Sequence, residues 1–90
     1  MRISTLPGAE FVEQGMVDLS AGAETIESLL VSIGAPRLRA LGFDLPEVIC
    51  GAEERLYVML SSEYGDGAHS RYNALIRRLV SFTRAAACVR

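Results

Sequence analysis

His69 is the only histidine of this 90-residue chain, and it is the first side chain to weigh as a catalyst. General acid–base catalysis needs a histidine that a carboxylate orients and that faces a nucleophile. Asp66 lies three residues before His69, and Ser70 follows it directly. Groups so close along the chain, at an expected helix start, are better explained by helix capping. A lone histidine also cannot supply the four ligands of a zinc site. The sequence therefore predicts neither a catalytic nor a metal site here.

Paired carboxylates are a second possible acid–base arrangement. Glu10 and Glu13 would share a helix face at about 6 Å between Cβ atoms, and Glu53 and Glu54 are adjacent. Glutamates in the first turn of a helix are stabilised by its dipole, which explains both pairs without catalysis. The segment 65–67 (Gly-Asp-Gly) lacks the Lys-Ser/Thr that completes a phosphate-binding loop. We therefore expect no catalytic activity and no cofactor.

The charged residues are unevenly spread, and all nine basic ones are arginine. The net charge is −6 over residues 1–54 and +4 over residues 55–90. The acidic half either neutralises the basic half within one fold, which we favour, or pairs with it between subunits. Guanidinium groups also match phosphate oxygens. The candidates for contacting a partner or a phosphate are Arg37, Arg39, Arg71, Arg77 and Arg78.

The two cysteines, Cys50 and Cys88, are far apart in the sequence. A secreted disulfide scaffold of this size usually carries more of them, so we predict two buried, reduced thiols. Residues 1–7 contain no apolar run typical of a secretory signal. No stretch approaches the roughly 18 apolar residues that span a bilayer. We expect a cytoplasmic protein without membrane contact.

Helical spacing of apolar residues predicts the first two helices. Pro7 is tolerated in a first helical turn and begins the first helix, which Gly22 ends. Gly15, in its interior, indicates close packing against another helix. Thr25 is the expected N-cap of the second helix, and Gly34 ends it.

The second half of the chain contains one ambiguous segment, the apolar run within residues 53–60. Periodicity alone does not distinguish helix from strand here, and we predict a helix because no second strand is available to pair with it. The last helix is the clearest element, since its apolar offsets of three and four persist for about four turns, and we expect it to be the spine of the fold. We also predict a helical turn over 36–41, followed by a loop over 43–52 that dips into the core through Phe43, Leu45 and Ile49. A second loop is predicted over 61–67, in which Asp66 caps the next helix. The last helix is predicted over 68–88.

These elements predict an all-α protein, a compact bundle of about four helices plus one short helical turn, forming a single domain over residues 1–90. Hydrophobic residues make up 50% of the chain, more than so small a domain easily buries, which favours a subunit interface. We expect a non-catalytic protein–protein interaction module, either a homodimer or the minor subunit of a bacterial complex. The alternative is a nucleic-acid-associated regulator that uses the arginine-rich helix face. The acidic pI of about 5.3 counts against this alternative.

Overall fold

The computed structural model of the protein describes residues 5–89. The prediction that residues 1–7 contain no apolar run typical of a secretory signal therefore lies outside the described residues for positions 1–4. The predicted all-α bundle, with four longer helices and one short one, is confirmed, and the described part contains no β-strand. It measures 38 × 25 × 18 Å along its principal axes. The helices are α1 (Ala9–Ser20), α2 (Ile26–Ile33), α3 (Ala35–Ala40), α4 (Ala52–Tyr64) and α5 (Ala68–Val89).

The first helix begins at Ala9, so the prediction that Pro7 begins it is wrong. Gly8 causes the difference, because it adopts a left-handed conformation with φ of 80°, which a right-handed helix cannot include. The Gly8 carbonyl nevertheless accepts the first hydrogen bond of the helix, from the Val12 N–H at 3.3 Å.

The predicted close packing at Gly15 is confirmed. A Cβ atom at Gly15 would overlap the backbone carbonyl of Glu27 and the side chain of Val31, both on α2. Glycine therefore sets how closely α1 and α2 approach each other.

The second helix begins with the predicted N-cap, Thr25. The Thr25 hydroxyl accepts a hydrogen bond from the Ser28 N–H at 3.0 Å, and the Ser28 hydroxyl accepts one from the Thr25 N–H at 2.7 Å. The Thr25 hydroxyl also donates to the Asp18 carboxylate at 2.7 Å, which ties the cap to the end of α1. These bonds satisfy backbone groups that a helix start leaves without partners.

The central helix is α2, so the expectation that the last helix is the spine is wrong. Its residues Leu29, Leu30 and Val31 are each 0% exposed, and α2 contacts all four other helices. The physical reason is composition, because α2 is apolar on several sides whereas α5 has one apolar face and one charged face. The predicted apolar face of α5 is confirmed by the burial of Leu79 and Phe82.

The chain from residue 52 to residue 89 is almost continuously helical. The helix predicted over 53–60 is confirmed, but the loop predicted over 61–67 is wrong, because α4 continues to Tyr64. No residue breaks the helix before Gly65, whose φ of 56° ends it. Asp66 lies in a 3₁₀ turn over Gly65–Gly67 and makes no side-chain cap, which corrects its predicted role.

The loop between α3 and α4 dips into the core as predicted. Phe43, Leu45 and Ile49 are half-buried and pack against the core, and the Phe43 ring lies 5.8 Å from the ring of Phe82. The loop thereby covers one end of the bundle.

Candidate functional site

The five candidate arginines are all exposed and lie on α3 and α5. On α5, Arg71 and Arg78 are two turns apart and share one side, while Arg77 lies on another. The α3 pair, Arg37 and Arg39, is separate from the α5 set along the chain. The five arginines therefore do not form one continuous patch.

Arg78 and Arg71 are engaged within the chain. The Arg78 guanidinium forms an ion pair with Glu10 at 3.2 Å and lies 4.9 Å from the centre of the Phe11 ring. The Arg71 guanidinium lies 4.2 Å from the centre of the Tyr64 ring. Exposed pairs of this kind contribute only about 0–1 kcal/mol to stability. The expected pairing of the basic half with the acidic half thus holds for Arg78.

The remaining candidate arginines differ in whether their guanidinium groups already have a partner within the chain. Arg39 donates a hydrogen bond to the Pro46 carbonyl at 3.3 Å, which braces the loop after α3. Arg37 and Arg77 form no ion pair with any carboxylate of residues 5–89, and the same holds for Arg84, which sequence reasoning did not single out. Three guanidinium groups are therefore available to a partner.

A groove between α3 and α5 brings Arg37 and Arg84 together, and we refer to it as the α3/α5 groove. Its residues include aliphatic side chains from both helices and from the end of α2. Val80 stands in it with 36% of its surface exposed. The residues that define the groove are Ile33, Pro36, Arg37, Ile76, Val80 and Arg84.

The depth of the groove depends on Gly34, between α2 and α3. A Cβ atom there would lie 3.0 Å from a methyl group of Leu79, closer than nearly all real contacts of this type. The absence of a side chain lets the α2–α3 corner sit directly on α5, and the buried Leu79 forms the floor. A side chain at this position would require the Leu79 side chain to shift.

The charge of the groove is purely basic. None of the residues that line it is acidic, and its two arginines come from different helices, Arg37 from α3 and Arg84 from α5. The one uncharged polar side chain that lines it, Thr83, already donates a hydrogen bond from its hydroxyl to the Val80 carbonyl at 2.9 Å. The groove can therefore take apolar side chains on its floor and carboxylates beside its arginines.

A second surface of the opposite charge lies on the outer side of α4, and we refer to it as the α4 face. It surrounds a shallow hollow, and the residues that define it are Glu24, Gly51, Glu54, Arg55, Val58, Met59, Ser62 and Glu63. Val58 is 62% exposed, the highest value among the large hydrophobic side chains of the described residues. Successive residues are about 100° apart around a helix, so Glu54 and Glu63 lie on opposite sides of the apolar stripe formed by Val58 and Met59.

His69 is not assembled into a catalytic group. Its Nε2 lies 3.2 Å from the Asn73 Nδ2, and no hydrogen bond joins it to Asp66 or Ser70 within the described residues. In the same part of the chain, no group of three or more histidine, cysteine, aspartate or glutamate residues is placed to hold a metal ion.

An aromatic cluster between α4 and α5 surrounds Tyr72. Its ring lies 5.7 Å from the Tyr57 ring, which also lies 6.5 Å from the ring of His69. Burial, and to a smaller degree the negative charge of Glu53, raises the pKa of Tyr72 above its usual value of 10.0. The folded state therefore favours the neutral phenol of Tyr72 over the phenolate.

Both cysteines are exposed and free, so the prediction of buried thiols is wrong. Cys50 lies at the end of the loop before α4, and Cys88 lies two residues after the buried Ala86 on α5. Cys88 also lines a second hollow between α3 and α5, which includes Leu41 and shares Arg37 and Arg84 with the α3/α5 groove.

The sequence signal for the groove was only partial. The seven-residue spacing of Arg77 and Arg84 indicated a shared helix side, but their relation to α3 depends on how α2 turns at Gly34. Val80 beside the apolar face of α5 was the other available hint. The periodicity of a sequence indicates which face of one helix is apolar, but it does not indicate which other helix packs beside that face.

None of the described helices combines the length and the apolar character needed to cross a bilayer. Comparison of the chain with known protein families, with curated proteins and with solved structures gives no match.

Proposed function

We propose that this chain is a protein–protein interaction module without catalytic activity, and that the α3/α5 groove is its binding surface. The observation that carries the proposal is the combination of an aliphatic floor with two arginines, Arg37 and Arg84, that no carboxylate of the described residues neutralises. Buried apolar contacts would supply affinity, and the arginines would fix orientation.

The partner that fits this groove is an amphipathic helix with an apolar stripe and acidic residues at its sides. A helix laid between α3 and α5 would place its stripe over Val80 and Leu79. Its carboxylates would then meet Arg37 on α3 and Arg84 on α5. A basic or neutral helix would leave both guanidinium groups without partners.

Nucleic acid is the second candidate, and one observation favours it. Arg77 and Arg84 lie on one side of α5 without ion pairs, and Arg37 adds a third free guanidinium. The groove, however, is lined by no aromatic side chain on which a base could stack, and the chain has a net charge of −2. The arrangement therefore favours a protein partner.

Photo-crosslinking tests the proposal. Val80 is replaced by the photoreactive residue p-benzoylphenylalanine, and the control position is Val17, which is 60% exposed on the outer side of α1. The residue at position 80 should cross-link to a protein of the host lysate, whereas the residue at position 17 should not. Mass spectrometry should locate the cross-link in an acidic amphipathic segment of that protein. Equal capture at both positions would contradict the proposal.

Charge variants sharpen this test. The R37E/R84E variant should lose the cross-link, whereas the R39E/R71E variant, which carries the same change in net charge, should retain it. Because neither Arg37 nor Arg84 is ion-paired, R37E/R84E should unfold within about 0.5 kcal/mol of the wild type. R39E/R71E loses the exposed hydrogen bond to Pro46 and the contact with the Tyr64 ring, so it should be about 1–2 kcal/mol less stable and still folded. A nuclease-sensitive product at position 80 that contains DNA or RNA would instead support the second candidate.

A further inference from the structure

The α3/α5 groove and the α4 face are complementary in charge and share no residue. We propose that the α4 face of one copy docks in the α3/α5 groove of a second copy, so that the chain associates with itself head to tail. This inference rests on the proposed function, since it identifies the acidic amphipathic helix as one carried by the protein itself.

The α4 face has the features that the groove requires. Its stripe runs through Val58 and the half-buried Met59, and Val58 has more of its side chain in water than a core-forming residue would. Glu54 and Glu63 stand on opposite sides of the stripe and form no ion pair with the basic groups of the described residues. The face therefore offers two neighbouring apolar side chains, Val58 and Met59, with a carboxylate on each side.

Arg55 is the one basic residue on this side of α4, and it does not oppose docking. Its guanidinium is paired with the Glu24 carboxylate at 2.7 Å, so the pair has no net charge. The outer side of α4 thus presents only negative net charge to the groove of another copy.

Because the two surfaces differ, each copy can use both at once. Such heterologous contacts build rings or open chains, in contrast to the self-complementary contact of a twofold dimer. Few apolar side chains take part, so we expect reversible association that weakens with salt.

Sedimentation velocity on four forms of the protein tests the contact. The wild type should exceed its monomer mass of 9.7 kDa as its concentration rises at low salt. The groove variant R37E/R84E and the α4-face variant E54R/E63R should each remain monomeric. The fourfold variant, which combines both changes and restores the net charge of −2, should associate again because its two surfaces are complementary with reversed sign.

Mixing supplies a second readout that a general loss of folding would not give. Wild type and the fourfold variant should each associate with themselves but not with each other, since every mixed contact places like charges together. A fourfold variant that is helical by circular dichroism yet monomeric would overturn the inference, as would double variants that associate like the wild type.

The apolar part of the contact is tested by a matched pair of substitutions. V58T should weaken self-association several-fold, whereas V17T, at a similarly exposed valine on α1, should not change it. If the wild type stays monomeric at all concentrations while R37E/R84E still loses the cross-link at position 80, head-to-tail docking is wrong and the proposed function stands. If the cross-link also persists, both are wrong.

Discussion

The hydroxyl of Ser32 on α2 accepts a hydrogen bond from the backbone N–H of Ile49 at 3.1 Å. The same hydroxyl donates to the Ser28 carbonyl at 2.8 Å, so this buried side chain uses both of its capacities. The bond links the centre of the bundle to a loop that has no regular structure of its own. It thereby holds the half-buried side chain of Ile49 against the core.

Replacing Ser32 by alanine should lower the free energy of unfolding by about 1–2 kcal/mol, because the Ile49 N–H loses its partner. Urea unfolding measures this change, and hydrogen exchange should show a faster-exchanging Ile49 amide. The control is Ser61→Ala on the exposed side of α4, which should change stability by less than about 0.5 kcal/mol. An unchanged exchange rate at Ile49 would show that the loop is held by its apolar contacts alone.

Replacing Gly15 by alanine should destabilise the protein by about 1–3 kcal/mol, although alanine is the better helix former. The added methyl group would overlap the Glu27 carbonyl, so α1 and α2 would have to separate. The matched substitution is Gly67→Ala, where the nearest atom, the Tyr64 Cβ, lies 3.7 Å from the new methyl group. Thermal unfolding should place Gly67→Ala close to the wild type. A more stable Gly15→Ala variant would disprove the tight contact.

Stability should fall in alkaline solution as Tyr72 ionises. The fold raises the pKa of Tyr72 above 10.0, mainly through burial, so the neutral phenol is favoured in the folded state. Its contribution is fully present below pH 10.0 and is lost as the pH rises through the higher folded value. Unfolding measured across this range should show a decline that Tyr72→Phe reduces.

Phenolate absorbance gives a direct check on the same group. The tyrosine step at the highest pH should disappear in Tyr72→Phe and remain in Tyr64→Phe. Glu53→Gln should move that step part of the way back, because the Glu53 charge is the smaller cause of the raised pKa. A step that persists in Tyr72→Phe would assign it to another residue.

Both thiols should react with a disulfide reagent in the native protein at rates close to those after denaturation, since Cys50 and Cys88 are exposed. The Cys50→Ser variant then allows one fluorophore to be placed at Cys88, in the hollow that shares Arg37 and Arg84 with the α3/α5 groove. Its emission should respond to an occupant of the groove. A fluorophore at Cys50, in the Cys88→Ser variant, should respond less. Slow native reaction at either cysteine would contradict its exposure.

Much of the helical architecture was predictable because it depends on local patterns. The offsets of three and four that end in Phe82 and Ala86 describe one face of α5, and both residues are buried. Thr25 was recognisable as an N-cap because its hydroxyl bonds to a backbone group only three residues away. Short-range chemistry of this kind can be read from the chain.

The features that were predicted wrongly depend on contacts between elements, which a short sequence pattern does not contain. Ser61 to Tyr64 are polar enough for a loop, yet the helix continues because its preceding turns are already packed through Leu56 and Leu60. Cys88 is apolar and follows the predicted face of α5, yet it is exposed, because burial depends on which elements pack against that part of the helix. Arg84 entered the candidate site only once the corner at Gly34 had placed α3 beside α5. These outcomes are set by tertiary contacts.

The central position of α2 has a consequence for how the chain can be divided. Helix α2 packs on α1, which precedes it, and on α4 and α5, which follow the long loop. A cut in that loop would separate residues 5–41 from residues 52–89, and each piece would expose the apolar surface that the other covers. Each half keeps its own packed pair of helices, α1 with α2 and α4 with α5, but loses the cover of the other half, so we expect the two to be fully stable only together. The loop is therefore a natural place to split the protein into a pair of complementing fragments.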